Sequence, residues 1–256
     1  MDLTSILGLI VGIGAVLLGA TLEGLGPSAL IQPTAFMIVI IGTVGAVVLC
    51  HRADELVHAG QWSLKCFLGS GEKPLDIAKF MIGIAQKARK EGILALQNDI
   101  KDIKDPFMRK GMELMTDGTD PHLLRDLLET ELGMFEEEIT HSAKVLEDFG
   151  ALAPCVGIIG AVLGLIHVMS NLNDPSKLGG GIAVAFVATV YGVGAANLIC
   201  LPMAGKIKFK GKASILVRQM TIEAVLSIQA GESPNFIKEK LKVFLSSKEA
   251  AELAEL

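Results

Sequence analysis

Four stretches of this 256-residue chain, residues 3–22, 31–50, 151–170 and 178–203, contain no Asp, Glu, Lys or Arg. Each is close to the ~20 residues an α-helix needs to cross a ~30 Å hydrocarbon core. The absence of charge over such lengths excludes an ordinary soluble domain, and the chain reads as an integral membrane protein.

Other absences narrow the chemistry. The four cysteines, Cys50, Cys66, Cys155 and Cys200, show no C-x-x-C spacing, which argues against a disulfide framework or a zinc site and leaves them as packing residues. No phosphate loop occurs, nor any constellation of nucleophile, base and orienting group, so an enzyme is not expected, nor a metal or organic cofactor. A net charge of −5 with interspersed signs leaves no nucleic-acid footprint. The N-terminus has no basic region and no A-x-A cleavage site, so the first apolar stretch reads as a retained helix.

The missing carboxylate matters most. Ion transport through a bilayer usually uses an intramembrane Asp or Glu that binds and releases the ion. None of the four stretches has one, so in an ion path the group would come from a partner, or from Glu23 at the edge of the first span.

The charge that is present lies outside the spans. Of 23 Lys and Arg, 13 fall from Arg52 to Lys144, nine follow Met203, and Lys177 alone sits in another loop. The positive-inside rule then makes the insert and the C-terminal tail cytoplasmic, with both termini inside. The expected fold is all-α: four transmembrane helices with a helical cytoplasmic domain inserted between spans two and three. The divisions are 1–50 for spans one and two, 51–148 for the inserted domain, 149–204 for spans three and four, and 205–256 for a helical cytoplasmic tail.

Within the insert no strand-like alternation appears. Residues 53–68 are expected to continue the second span, ending at Gly69-Ser70-Gly71 with Pro74 beyond. Asp105-Pro106 and Asp120-Pro121 each pair an N-cap with proline at the first helical position. From Leu124 the apolar residues Leu128, Leu132, Phe135, Ile139 and Leu146 recur at helical spacing, with Glu129, Glu136, Glu137 and Glu138 outward. This predicts an amphipathic helix running into the third span. Exposed charges here fit either a self-packing helical domain or a surface that docks a partner.

Inside the spans, Gly157, Gly160 and Gly164 share one helix face, as do Ala185, Gly192 and Ala196; small faces let helices approach closely in lipid. Such faces serve plain packing as readily as transport. Thr189 falls between Ala185 and Gly192, where its hydroxyl can back-bond to the Ala185 carbonyl or mark an ion or water path. Pro154 and Pro202 lie near the cytoplasmic ends of spans three and four, where each frees a carbonyl and allows a kink or simply shapes a helix end. His167 reads as an interfacial packing histidine. Tyr191 and Asn197 can hydrogen-bond between helices.

The run 174–197, DPSKLGGGIAVAFVATVYGVGAAN, resembles the fourth span of the flagellar stator A subunits, the MotA/PomA family. APCVGIIGAVLGLI (153–166) resembles the third span of that family, and ARKEGILALQ (88–97), MRKGMELMTDGTD (108–120) and GESPNFIKEKLKVFL (231–245) are similar to its cytoplasmic segments. The opening MDLTSILGLI is also typical, so the resemblance covers nearly the whole chain.

The resemblance implies a ring of five A subunits in the bacterial inner membrane around a dimer of B subunits, whose single spans each carry an aspartate. In that family inward ion flow turns the A ring, which pushes the flagellar rotor C-ring protein. Pro154 and Pro202 match its functional prolines, and Thr189 the threonine near the ion path. Arg89, Lys90 and Asp117 match rotor-facing charges. At Gln97 the family usually has glutamate, a loss that Asp99 is placed to offset in part. Ala161 stands where sodium-driven members have threonine, so H+ is the expected ion rather than Na+. Two alternatives are an energy-transducing proton-channel subunit of the ExbB/TolQ type, which typically has three spans, and a non-conducting membrane scaffold.

Overall fold

The computed structural model describes residues 2–69 and 73–254, and among them there are helices and connecting turns but no strand. The first span is the helix Leu3–Leu22, capped by Asp2, whose carboxylate accepts from the Ser5 amide at 3.4 Å. None of its residues is buried. The second runs Pro33–Cys50, beginning on a proline that needs no donor at that position, and contains a π-helical turn at Met37–Ile41.

This second helix does not run on to residue 68 as the sequence suggests. His51 is extended (φ −126°, ψ 154°), Arg52 is also extended, and a separate helix occupies Ala53–Phe67. The break is stabilised locally. Glu55 turns back to accept the Arg52 backbone N–H at 3.4 Å, supplying an acceptor to a helix start that would otherwise leave its first amides unpaired.

The helix Pro121–Ser170 is 50 residues long, about 75 Å at 1.5 Å per residue, so a large part of it extends beyond any ~30 Å hydrocarbon layer. Asp120 caps it, accepting from the amides of His122 (2.9 Å) and Leu123 (3.3 Å). Asp105 does the same for the helix Pro106–Thr116, accepting from Met108 at 2.7 Å. Residues 175–229 are helical throughout: Pro175–Gly194, a π-helical turn at Ala195–Cys200, then Leu201–Gln229.

Two compact units result. One comprises residues 2–69 and 138–209 and contains the four spans; the other comprises 73–137 and 210–254. The second has a continuous apolar core in which Met81, Leu96, Phe107, Met112, Leu124, Leu128, Met220, Ile237 and Leu241 are almost fully buried. Each such side chain contributes about 1.5–3 kcal/mol relative to exposure. Arg218 stacks its guanidinium 3.6 Å from the Phe135 ring and 4.7 Å from that of Phe107. At the end of the helix Leu201–Gln229 the chain needs φ +70° at Gly231, which a side chain would resist; the turn is closed by Gly231 N–H to Ile228 and Glu232 N–H to Ser227.

Candidate ion path and coupling residues

The small residues of spans three and four face each other within one chain. A methyl group placed on Gly157 would meet the Ala188 carbonyl at 3.0 Å, on Gly160 the Ala188 methyl at 2.7 Å, and on Gly164 the backbone of Gly181 and Ala185 within 2.8 Å. Ala185, Ala188 and Ala196 are buried on the opposing side. In lipid, dispersion between close backbones holds such a pair, so the seam depends on the absent side chains.

Thr189 is not part of this seam. Ala188 fills the place next to Gly157 and Gly160, and one residue further, about 100° around the helix, Thr189 is exposed. Its hydroxyl donates to the Ala185 carbonyl at 3.2 Å. A back-bonded threonine on an exposed helix face therefore replaces the expected position between small residues. Ala161 is half-buried beside the seam residue Gly160.

Pro154 and Pro202 each follow a residue in close contact with the other helix, Ala153 and Leu201. Proline at 154 has no N–H for the Gly150 carbonyl, and at 202 none for that of Leu198. A methyl on Gly150 would stand 2.7 Å from the Leu201 side chain, and one on Gly192 2.5 Å from the Ala153 carbonyl. The third helix nevertheless continues through Pro154, whereas the fourth widens into its π-helical turn just before Pro202. Such single wide turns accommodate a mispaired carbonyl and often occur at functional positions. Pro202, Leu198 and Asn197 line a cavity of about 340 Å³ with Ser5, Gly8 and Gly12 of the first span. Asn197 does not bridge helices; its amide donates to Val193 of its own helix at 3.0 Å.

Tyr191 does bridge. Its hydroxyl donates to the Leu30 carbonyl at 2.5 Å and accepts from the Gln32 amide at 3.3 Å, while its ring meets Phe36 edge-on. The start of span two is thereby fixed to span four. His167 is exposed and its ring lies against Gly181. The cysteines carry no disulfide.

In the other unit, Arg89 and Lys90 end the helix Pro74–Glu91, Gln97 begins the helix Gln97–Lys101, and Asp117 caps the helix Pro106–Thr116 at its C-terminus; all four are exposed. Arg89 lines a groove with Gly92, Leu94, Ile228 and Glu232 that the other three do not reach. Asp99, two residues from Gln97, accepts from Lys87 at 2.7 Å. That bond raises the Lys87 ammonium above its ordinary range, against the opposing effect of burial.

A charged cluster not anticipated from the sequence occupies the ends of spans two and three: His51 with Glu55, His141, Lys144 and Asp148. The only signals were the i, i+4 pairs His51/Glu55 and Lys144/Asp148. Glu138, expected to point outward, is half-buried and accepts from the Trp62 indole at 3.0 Å.

Comparison with known proteins decides the family. A profile described as the MotA/TolQ/ExbB proton channel family matches residues 99–222. Motility protein A of Bacillus subtilis (strain 168) is 35% identical over 258 aligned residues, covering 100% of this chain and 95% of the relative. The chain belongs to the motility protein A family. Solved structures agree in fold over almost the whole length. A chain of the C. jejuni MotAB structure superposes with a TM-score of 0.91 at 29% identity, covering 96% of this chain and 97% of its own. A chain of the flagellar MotAB stator complex from Bacillus subtilis gives 0.88 at 33%, covering 97% and 98%. With four helices long and apolar enough to cross a bilayer, this motility protein A homologue is a multi-pass membrane protein.

Proposed function

We propose that this chain is the A subunit of a flagellar stator: five copies surround a pair of B-type partners, and protons flowing inward turn the ring against the rotor. The observation that carries the reading is the full-length likeness to MotAB stator chains, on a bundle whose spans hold no carboxylate. An ion path through such a bundle requires the acid from elsewhere, and a partner span with one aspartate supplies it. In this reading the protein lies in the inner membrane with both termini and the charged unit in the cytoplasm, since 22 of its 23 Lys and Arg lie in those segments. Thr189 and Ala161 border the ion path, Pro154 and Pro202 couple protonation to helix movement, and Arg89, Lys90, Gln97 and Asp117 meet the rotor C-ring. It works as a channel and motor part rather than an enzyme, with H+ as the transported ion and no cofactor.

The test is proton flux in vesicles. This chain alone should conduct no more than empty vesicles, and co-reconstitution with a B-type partner should open the path. Equal flux with and without the partner would overturn the reading.

A further inference from the structure

Both ring nitrogens of His51 face carboxylates: Nδ1 lies 3.0 Å from Glu55 Oε2 and Nε2 3.0 Å from Asp148 Oδ2. The side chain is 7% exposed, so water does not provide alternative partners. A neutral imidazole has one N–H and can donate to only one of two ionised carboxylates; the other nitrogen would turn a lone pair toward an anion. The imidazolium donates to both.

The surrounding groups favour ionised carboxylates. The other oxygen of Glu55 lies 3.2 Å from His141 Nδ1, and the other oxygen of Asp148 lies 2.7 Å from Lys144 Nζ. The Glu55 carboxyl is held below its usual range, first by its bond to His51, against the opposing effect of burial. Other nearby charges are already occupied: Arg52 pairs with Asp54, and Glu147 with Lys208 of the fourth helix.

The position of the cluster gives it a mechanical consequence. His51 and Arg52 are the extended break between the second span and the helix Ala53–Phe67, while Asp148 and His141 belong to the long third helix. His51 thus ties the break to that helix, beside the Glu55–His141 pair and the apolar contact of Val47 and Ala59 with Val145.

We propose that His51 binds a proton between Glu55 and Asp148 and acts as a proton-dependent clamp, closing the joint after span two onto the third helix and releasing one arm when the proton leaves. The clamp is closed while His51 holds the proton and donates to both carboxylates, and it opens on the alkaline side, when the proton leaves. The inference stands on this geometry and does not depend on the stator reading.

Trp62, the one tryptophan of the chain, reports on the same helix pair through its indole bond to Glu138. The experiment follows its emission in the full chain reconstituted in lipid vesicles as pH is raised from mildly acidic to mildly alkaline. The native chain should show a reversible red shift as pH rises. His51→Gln should sit at the red-shifted position throughout. Asp148→Asn, which leaves neutral His51 one carboxylate to serve and an amide to accept from, should stay unshifted at all pH. His141→Gln should keep the native response. A native chain with no shift, or a shift retained in both His51→Gln and Asp148→Asn, would overturn the proposal, and the Asp148→Asn arm decides it if His51→Gln does not fold.

Discussion

Gly192 stands so close to Ala153 that a methyl group on it would lie 2.5 Å from the Ala153 carbonyl oxygen. Backbone offers no rotamer by which to move aside, so Gly192→Ala must push the two helices apart beside Pro154. The expected cost is that of overpacking, about 1–3 kcal/mol. Gly194→Ala, two residues away with nothing within 4 Å, is the control. Thermal melting of the detergent-solubilised chain should show Gly192→Ala lowered and Gly194→Ala unchanged; equal melting would mean the seam yields freely.

The rotor-facing reading predicts a different kind of loss. Arg89 and Asp117 are exposed at helix ends of the charged unit, and exposed pairs are worth only ~0.2–1 kcal/mol each. Arg89→Glu or Asp117→Lys should therefore weaken swimming without reducing membrane levels, and a compensating reversal on the rotor should restore part of it. Loss of the protein from the membrane in Arg89→Glu would assign the residue to folding instead.

How much of this was legible beforehand follows physical range. Spans, caps at Asp105 and Asp120, and the apolar stripe from Leu124 are local signals, and each appears in the structure. The break at His51 was not, because what holds it includes Asp148, nearly a hundred residues away. Spacings of three and four place Thr189 on the small face as readily as Ala188; only the opposing Gly157 and Gly160 show that Ala188 fills the seam. The π-helical turns depend on backbone pairing that residue type does not announce.

Acid should loosen the end of the charged unit through Lys240. Its ammonium lies 2.9 Å from both Glu223 and Glu232, and the bond to Glu232, against burial, raises its pKa. The Glu232 carboxyl, which burial alone would push up, is held below its usual range by the bonds from Lys240 and Ser227. A depressed carboxylate stabilises above its unfolded value, ~4.3, and loses that contribution as pH falls through its folded value. The raised Lys240 contributes fully below ~10.4 and loses it only in strong alkali. Hydrogen exchange over Pro234–Lys242 should stay slow near neutrality and quicken below about pH 4.3. Lys240→Met should weaken that acid dependence, leaving the part that the Ser227 bond supplies.

Ion choice tests Ala161. A methyl offers no oxygen to replace water around sodium, so swimming should follow the proton-motive force and ignore external sodium at fixed pH. Speed rising steeply with sodium would show that this position does not select the ion.

Thr189 separates packing from mechanism most sharply. Its hydroxyl already has a partner in the Ala185 carbonyl, and its exposure on the chain places it where a partner span can lie against it. If the back-bond is its whole role, Thr189→Val removes a donor whose loss costs about 0.5–1.5 kcal/mol and keeps the shape. Motility should then be close to normal. If the hydroxyl orders water along the path, the same change should leave the complex assembled and cut proton flux severely, while Thr189→Ser, which keeps the donor, retains most of it. The stator reading expects the second result. Flux in co-reconstituted vesicles, measured beside partner pull-down, decides between them, and normal flux for Thr189→Val in an assembled complex removes the residue from the ion path.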